Sequence, residues 1–118
     1  MKSTLKYNII TKFEILKVMK HFVDENKSPY WIKKYSNGKF RVVYSNKAFR
    51  EFFNKTRGKY IPNDDEYSTH LQNDIECLKQ KSTLQLIESV NGQDVCINRQ
   101  FVFDKSNNSK LIISHIDI

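Results

Sequence analysis

The sequence contains few residues that interrupt or cross-link a chain: 3 Gly, 2 Pro and 2 Cys among 118 residues. Such scarcity argues against a disordered or low-complexity chain. Cys77 and Cys96 have neither CxxC nor zinc-site spacing, so we expect both to be reduced and buried. Apolar runs fall well short of the about 20 residues of a membrane span, and the N-terminus lacks the apolar core of a signal peptide. The sequence therefore predicts one globular, cytoplasmic domain.

Sequence signatures of catalysis are also absent. There is no Gly-rich phosphate loop, no G-x-S-x-G and no H-E-x-x-H. The acidic run Asp64-Asp65-Glu66 lies at the start of a predicted helix, where the helix dipole favours negative charge. We therefore expect a protein that is not an enzyme.

Positive charge is concentrated in one half of the chain. The net charge is +7, with +11 on residues 1–59 and −4 on residues 60–118. Such asymmetry is typical of a partner surface, of a solvated face, or of two halves that attract each other in the fold.

Periodicity and turn signals predict the order of helices and strands. Asn37-Gly38 and Asn91-Gly92 are hairpin turns. The flanking β-branched and aromatic runs predict strands over 30–35, 40–44, 83–90, 95–103 and 111–118. A short helix capped by Ser45 or Asn46 and a longer one over 65–80 lie between the second and third strands. This order predicts an α+β fold: a five-stranded antiparallel sheet with helices on one face.

An N-terminal helix precedes these strands. Thr11 and Glu14 have the spacing of a capping box, and an apolar stripe follows. The stripe is wider than a single sheet requires, so it predicts a helix that covers the sheet and also forms a homodimer. Its central positions are Ile15, Val18, Met19 and Phe22.

Several segments together resemble a PAS domain. They are the PYWIKK run of 29–34, Asn37-Gly38, the VYSNKAF run of 43–49, Gly58-Lys59, the helix through 74–78, Asn91-Gly92 and the closing IDI of 116–118. Lys34 departs from the family pattern, which has Asp there. The resemblance covers about residues 28–118, leaving 1–27 as an N-terminal capping and dimerisation helix. The subtype is similar to small-molecule-sensing PAS modules of bacterial signalling proteins and transcription regulators.

The resemblance implies an internal cavity for a ligand or cofactor. Arg99 interrupts an apolar alternation, either as an edge-strand charge or as the anchor of an anionic ligand. The expected cavity lining is Trp31, Tyr44, Phe49, Phe53, Leu71, Ile75, Leu86, Ile97, Arg99, Phe101, Ile113 and His115.

No cofactor is assigned by these residues. Covalent flavin chemistry in the family requires a Cys that the stretch 58–62 lacks. Heme-binding members use a His on the long helix, but His70 has acidic neighbours and is expected to be solvated. His115 is expected either to point into the cavity or to be a partly buried, hydrogen-bonded side chain. We expect His21 to be exposed, and no metal site.

Two functions remain from the sequence. The first is a PAS sensory module that binds a small ligand in its cavity, or dimerises, to regulate a partner or output domain. The alternative is a stand-alone basic PAS-fold protein that binds an acidic protein or nucleic acid without a ligand. That binding would use Lys33, Lys34, Lys39, Arg41, Lys47, Arg50, Lys55, Arg57 and Lys59.

Overall fold

The computed structural model describes residues 9–10, 20–54, 64–105 and 108–117. The predicted capping box, the stripe positions Ile15, Val18 and Met19, and the stretch 58–62 lie outside these residues. The elements are β1 (Ile9–Ile10), β2 (Tyr30–Ser36), β3 (Lys39–Ser45), α1 (Lys47–Asn54), α2 (Asp64–Gln80), β4 (Thr83–Val90), β5 (Gln93–Asp104) and β6 (Ser109–Asp117).

Five strands form an antiparallel sheet in the order β3-β2-β6-β5-β4. This confirms the predicted α+β fold. The sheet also includes β1, which the sequence did not indicate. It pairs in parallel with β5 at Phe103 and Asp104, beyond the last β4 partner, Gln100.

Both predicted hairpin turns are present. Asn37 and Gly38 have φ of 52° and 76°, and Asn91 and Gly92 have φ of 53° and 78°. Two consecutive residues at positive φ match the right-handed twist of the strands they join, and Asn-Gly is the pair that adopts this backbone most readily. These turns fix the register of the β2–β3 and β4–β5 pairs.

The sheet has two differently covered faces. On the inner face, Trp31 and Ile97 belong to a buried cluster against which the phenylalanines of α1 pack. On the outer face, Ile32, Val102 and Leu111 form a second cluster. The side chains of the adjacent residues Trp31 and Ile32 thus lie on opposite faces of the sheet, because side chains alternate along a strand. Burying each such side chain contributes about 1.5–3 kcal/mol.

Helical residues 20–24 lie against the outer side of the sheet. The Phe22 ring meets the edge of the Tyr30 ring at 5.7 Å, and the Tyr44 hydroxyl donates to Asp24. Val23 is completely buried. These contacts place residues 20–24 on the outer face of the sheet. Among the described residues, no helix combines the length and apolar character that a membrane crossing requires.

Asn46 joins three segments of the fold. Its Oδ1 accepts the N–H groups of Phe49 at 2.9 Å and Tyr30 at 3.0 Å. Its Nδ2 donates to the carbonyl oxygens of Val23 at 2.8 Å and Ser28 at 3.0 Å. The bond to Phe49, three residues on, is an N-cap, so Asn46 is the cap of α1. It also fixes where β2 begins and where residues 20–28 lie.

The two cysteines are free thiols. Cys77 is buried on α2 and donates to the carbonyl of Ser82 at 3.3 Å. Burial raises the pKa of its thiol to about 11, which makes it an unreactive packing residue. Cys96 is only half-buried, so the prediction that both cysteines are buried is correct for Cys77 alone. The reason is that Cys96 lies on the opposite side of β5 from the buried Ile97.

Candidate ligand cavity

A cavity of about 550 Å³ lies between the inner face of the sheet and the helices α1 and α2. Small-molecule sites span about 300–1,000 Å³ and are mostly apolar with a few polar groups. The lining has this composition. Its apolar part is Trp31, Gly38, Phe40, Val42, Phe49, Phe53, Tyr67, Leu71, Val90 and Ile97, and its polar part is Lys33, Lys39, His70, Asp74 and Arg99.

An aromatic cluster forms one end of the cavity. The Trp31 ring lies 5.1 Å from Phe49 and 5.9 Å from Phe53, and the two phenylalanine rings lie 4.5 Å apart. These three residues were expected from the sequence to line the cavity. Half of the expected lining set surrounds the cavity, namely Trp31, Phe49, Phe53, Leu71, Ile97 and Arg99.

The expectation that Ile113 and His115 of β6 face the cavity is wrong, because the inward-facing positions are shifted by one residue. Ile113 and His115 belong to the outer side: Ile113 packs on the outer cluster, and His115 stacks on Tyr30 at 4.6 Å. His115 Nε2 also lies 3.1 Å from Asp117 Oδ1. Ser114 shares the inner face with its β5 partner Arg99. A slip of one position exchanges the two faces of a strand.

Four other expected residues also lie outside the cavity lining. Tyr44 is on the outer face, opposite Ile32. Ile75 and Leu86 are 40% and 38% exposed, and Leu86 lies on the edge strand β4. Phe101 has the same strand parity as Arg99 but is not one of the lining residues.

Arg99 is buried in the cavity wall, with 2% of its side chain exposed. Its Nε donates to Asp74 Oδ1 at 2.7 Å, its Nη2 donates to Glu88 Oε1 at 3.0 Å, and its Nη1 donates to Glu88 Oε2. It is not an edge-strand charge, because β5 lies between β4 and β6. Burial opposes its charge, but the two carboxylates outweigh that effect and raise its pKa further.

Two further side chains join Arg99 and its carboxylates. Lys33 Nζ donates to Asp74 Oδ2 at 2.6 Å, and His70 Nδ1 lies 2.7 Å from Glu88 Oε1. The expectation of a solvated His70 is wrong, since its side chain is 16% exposed. We call Lys33, His70, Asp74, Glu88 and Arg99 the charge network. It connects α2 to β2, β4 and β5.

Sequence reasoning missed the acidic members of the charge network. Glu66, His70 and Asp74 recur every four residues on α2, so they share one helix face. That face is directed at the sheet: Glu66 is buried and accepts bonds from Ser89 Oγ at 3.0 Å and Gly92 N at 2.9 Å. A polar stripe at helical spacing was the available signal, but it is ordinarily the mark of a solvated face.

Glu88 gives the fold an acid-sensitive contact. Burial alone would raise the pKa of Glu88, but hydrogen bonds and charges from His70 and Arg99 outweigh burial and lower it from 4.5 to about 2. A lowered native pKa means that the stabilisation is present above the unfolded value and is lost as pH falls from there toward 2. We expect the urea midpoint, followed by circular dichroism, to fall across this window more steeply for wild type than for Glu88→Gln. Parallel curves would show that Glu88 does not titrate this way.

The six described basic residues of the alternative function lie on different parts of the fold. Lys55, Arg57 and Lys59 lie outside the described residues. Lys33 is in the cavity wall. The remaining members are divided between α1 and the β2–β3 hairpin: Lys47 pairs with Glu51 at 3.7 Å, and Arg50 donates to the Ser45 carbonyl at 2.7 Å.

Metal and histidine predictions can be compared with the described residues only. Within them, no three His, Cys, Asp or Glu side chains are placed to hold a metal ion. His21 is exposed as expected, with Nε2 3.4 Å from Glu25.

The chain has a PAS fold, the class that includes light-oxygen-voltage (LOV) domains. It is similar to the Rhodobacter sphaeroides LOV protein, with a TM-score of 0.66 and 13% identity over 91% of this chain and 68% of that chain. The chain is also similar to the PAS domain of Bordetella pertussis BvgS, with a TM-score of 0.56 and 18% identity over 89% of this chain and 87% of that chain. A fungal LOV domain photoreceptor is similar with a TM-score of 0.57 and 11% identity over 99% of this chain and 97% of that chain. No family model and no curated protein matches the sequence.

Proposed function

We propose that this protein is a sensory and signalling module that binds a small ligand in the cavity and transmits its occupancy to a partner or output domain. The observation that carries the proposal is the cavity of about 550 Å³ between the inner sheet face and the two helices. Fold similarity supports a signalling role but does not establish it, since function depends on the site.

The cavity has two chemically different ends, which is what orients a ligand. Trp31, Phe49 and Phe53 supply an apolar end. The charge network supplies the polar end, with Lys33 and His70 on the lining. An apolar body would be held by burial, and a polar group by a small number of directed hydrogen bonds.

Strand β2 is the element that would transmit occupancy. Trp31 faces the cavity, whereas the preceding Tyr30 contacts Phe22 of the N-terminal helical residues. Phe22 is 57% exposed and is available to a second subunit. We therefore propose that the N-terminal segment 1–27, through its helical residues 20–24, mediates dimerisation and output in a cytoplasmic homodimer that regulates a process such as transcription.

The only tryptophan of the chain, Trp31, makes the cavity directly observable. We expect phenylpropanol, a neutral aromatic ligand, to change Trp31 fluorescence saturably. Leu71→Phe narrows the cavity and should weaken binding about tenfold or more, because the added atoms occupy the ligand's space. Ile75→Phe, one turn further along the same helix but exposed, is the matched control and should bind like wild type.

Native mass spectrometry and an absorption spectrum of the purified protein complete this test. A retained small molecule would support the sensory module. Failure of every ligand to affect Trp31, together with salt-sensitive retention of nucleic acid or an acidic protein, would contradict it and favour the basic interaction protein.

A further inference from the structure

The charged groups around the cavity are unequal in number. Three cationic side chains, Lys33, Lys39 and Arg99, line it. The carboxylates paired with Lys33 and Arg99 are Asp74 and Glu88. Glu66, the other buried carboxylate on that face of α2, does not line the cavity and accepts bonds from Ser89 and Gly92. Among the described residues, one positive charge of the cavity lining is therefore uncompensated.

We propose that the ligand is a small aromatic or aliphatic monocarboxylate, with its carboxylate held by Lys33 and Lys39 and its apolar body against Trp31, Phe49 and Phe53. This inference rests on the proposed function, because it names the chemical class of the ligand in that same cavity. A single excess charge matches a monoanion. A phosphate monoester, with a charge of about −1.5 to −2, would exceed it and would be repelled by Asp74 more strongly than a monocarboxylate.

Arg99 is not the anchor. Both edges of its guanidinium donate to carboxylates, and its Nη2 also approaches the His70 carbonyl at 3.5 Å. Its charge is offset by Asp74 and Glu88 together. The role of Arg99 is to hold these two carboxylates, one of which positions Lys33.

Lys33 has donors to spare. An ammonium group has three N–H donors, and among the described residues Lys33 Nζ donates to Asp74 Oδ2, at 2.6 Å. The side chain lines the cavity and is 20% exposed. Lys39 follows the β2–β3 turn and lines the cavity beside Gly38. None of the ion pairs between described residues includes Lys39. A charge-assisted bond to a carboxylate is the strongest contact these two groups can make.

Ser114 provides a second observation, on the inner sheet face between the aromatic cluster and the charge network. It is fully buried, and its Oγ has no hydrogen-bond partner among the described residues. Its cross-strand neighbours are Trp31 on β2 and Arg99 on β5, and both of these line the cavity. An unsatisfied buried hydroxyl is costly, so a water or polar ligand group that reaches Ser114 between these two lining residues is favoured over an apolar group.

Three ligands with one skeleton test the proposal: phenylpropanoate, phenylpropanol and phenylpropylamine, titrated at neutral pH against Trp31 fluorescence. We expect the carboxylate to bind about tenfold tighter than the alcohol, and the amine to bind most weakly. Lys33→Gln and Lys39→Gln should each remove most of that preference. Lys34→Gln is the matched control, because Lys34 adjoins Lys33 on β2 but has the opposite strand parity.

The outcomes separate this inference from the proposed function. Equal binding of alcohol and carboxylate, or tighter binding of the amine, would overturn the monocarboxylate and leave a ligand-binding cavity. An equal loss in Lys34→Gln would also overturn it, since the preference would then be a general effect of net charge. If none of the three ligands binds, the monocarboxylate is overturned, and the proposed function fails as well when native mass spectrometry finds no retained small molecule. Lys39 is exposed, so Lys39→Gln remains a valid test even if Lys33→Gln does not fold.

Discussion

Replacing Arg99 with methionine is expected to lower the free energy of unfolding by about 3–5 kcal/mol, the usual cost of removing one partner from a buried ionic cluster. The Asp74 and Glu88 side chains are 2% and 0% exposed. Without the guanidinium, Asp74 retains Lys33 and Glu88 retains His70, but each carboxylate loses its most buried partner. The loss follows from two desolvated charges left with too few donors.

Urea unfolding followed by circular dichroism measures this loss of unfolding free energy. Two further variants show which property of Arg99 is responsible for it. Arg99→Lys keeps the charge but loses the planar fork, so it should fall between wild type and Arg99→Met. Combining Arg99→Met with Glu88→Leu and Asp74→Leu removes the buried charges together and should recover much of the stability. If Arg99→Met loses less than about 1 kcal/mol, as an ordinary surface substitution does, the charge network is not a structural element.

The charge network also explains why an open cavity persists beside α2. Apolar helix faces usually interdigitate with a sheet and leave few voids. Here the face of α2 directed at the sheet carries His70 and Asp74, which meet β2, β4 and β5 through ion pairs. Directed bonds fix the separation between helix and sheet, so neighbouring apolar residues such as Leu71 border a space that they do not fill.

The strands and turns were predictable because their signals are local. Asn37-Gly38 and Asn91-Gly92 require positive φ at both positions, and few other residue pairs supply it. The predicted strand over 83–90 and the helix ending at Gln80 coincide with the structure. The parallel pairing of Ile9 and Ile10 with β5 depends on a contact distant in sequence, and no local pattern predicts such a partner.

The orientation of β6 was not predictable because both sides of this strand are covered. Leu111, Ile112 and Ile116 are all buried, so the apolar run lacks the alternation that reveals which side faces the helices. For α2 the difficulty was the reverse: the apolar spacing of Leu71 and Ile75 suggested a core face. The actual sheet-facing stripe is polar, and its burial depends on Arg99, which lies on β5.

Asn46→Ala is expected to lower the free energy of unfolding by about 2–4 kcal/mol, because it removes an N-cap and also leaves buried polar groups unsatisfied. The substitution deprives the N–H groups of Phe49 and Tyr30 of their acceptor, and it removes the donor to the carbonyl of Val23. These bonds hold α1, β2 and the end of the N-terminal helical residues in one arrangement. The loss should therefore appear in urea unfolding and also as weaker ligand binding at Trp31, whose ring packs against Phe49 of α1.

Two matched variants divide this effect into its parts. Asn46→Asp keeps an oxygen acceptor for the N–H groups of Phe49 and Tyr30 but places a carboxylate against the carbonyls of Val23 and Ser28. It should retain the cap of α1 and lose the attachment of residues 20–28, giving an intermediate stability. Ser45→Ala alters the other side chain that the sequence offered as a cap, and it should leave stability within about 0.5 kcal/mol of wild type. If Ser45→Ala costs as much as Asn46→Ala, the buried amide of Asn46 is not what joins these segments.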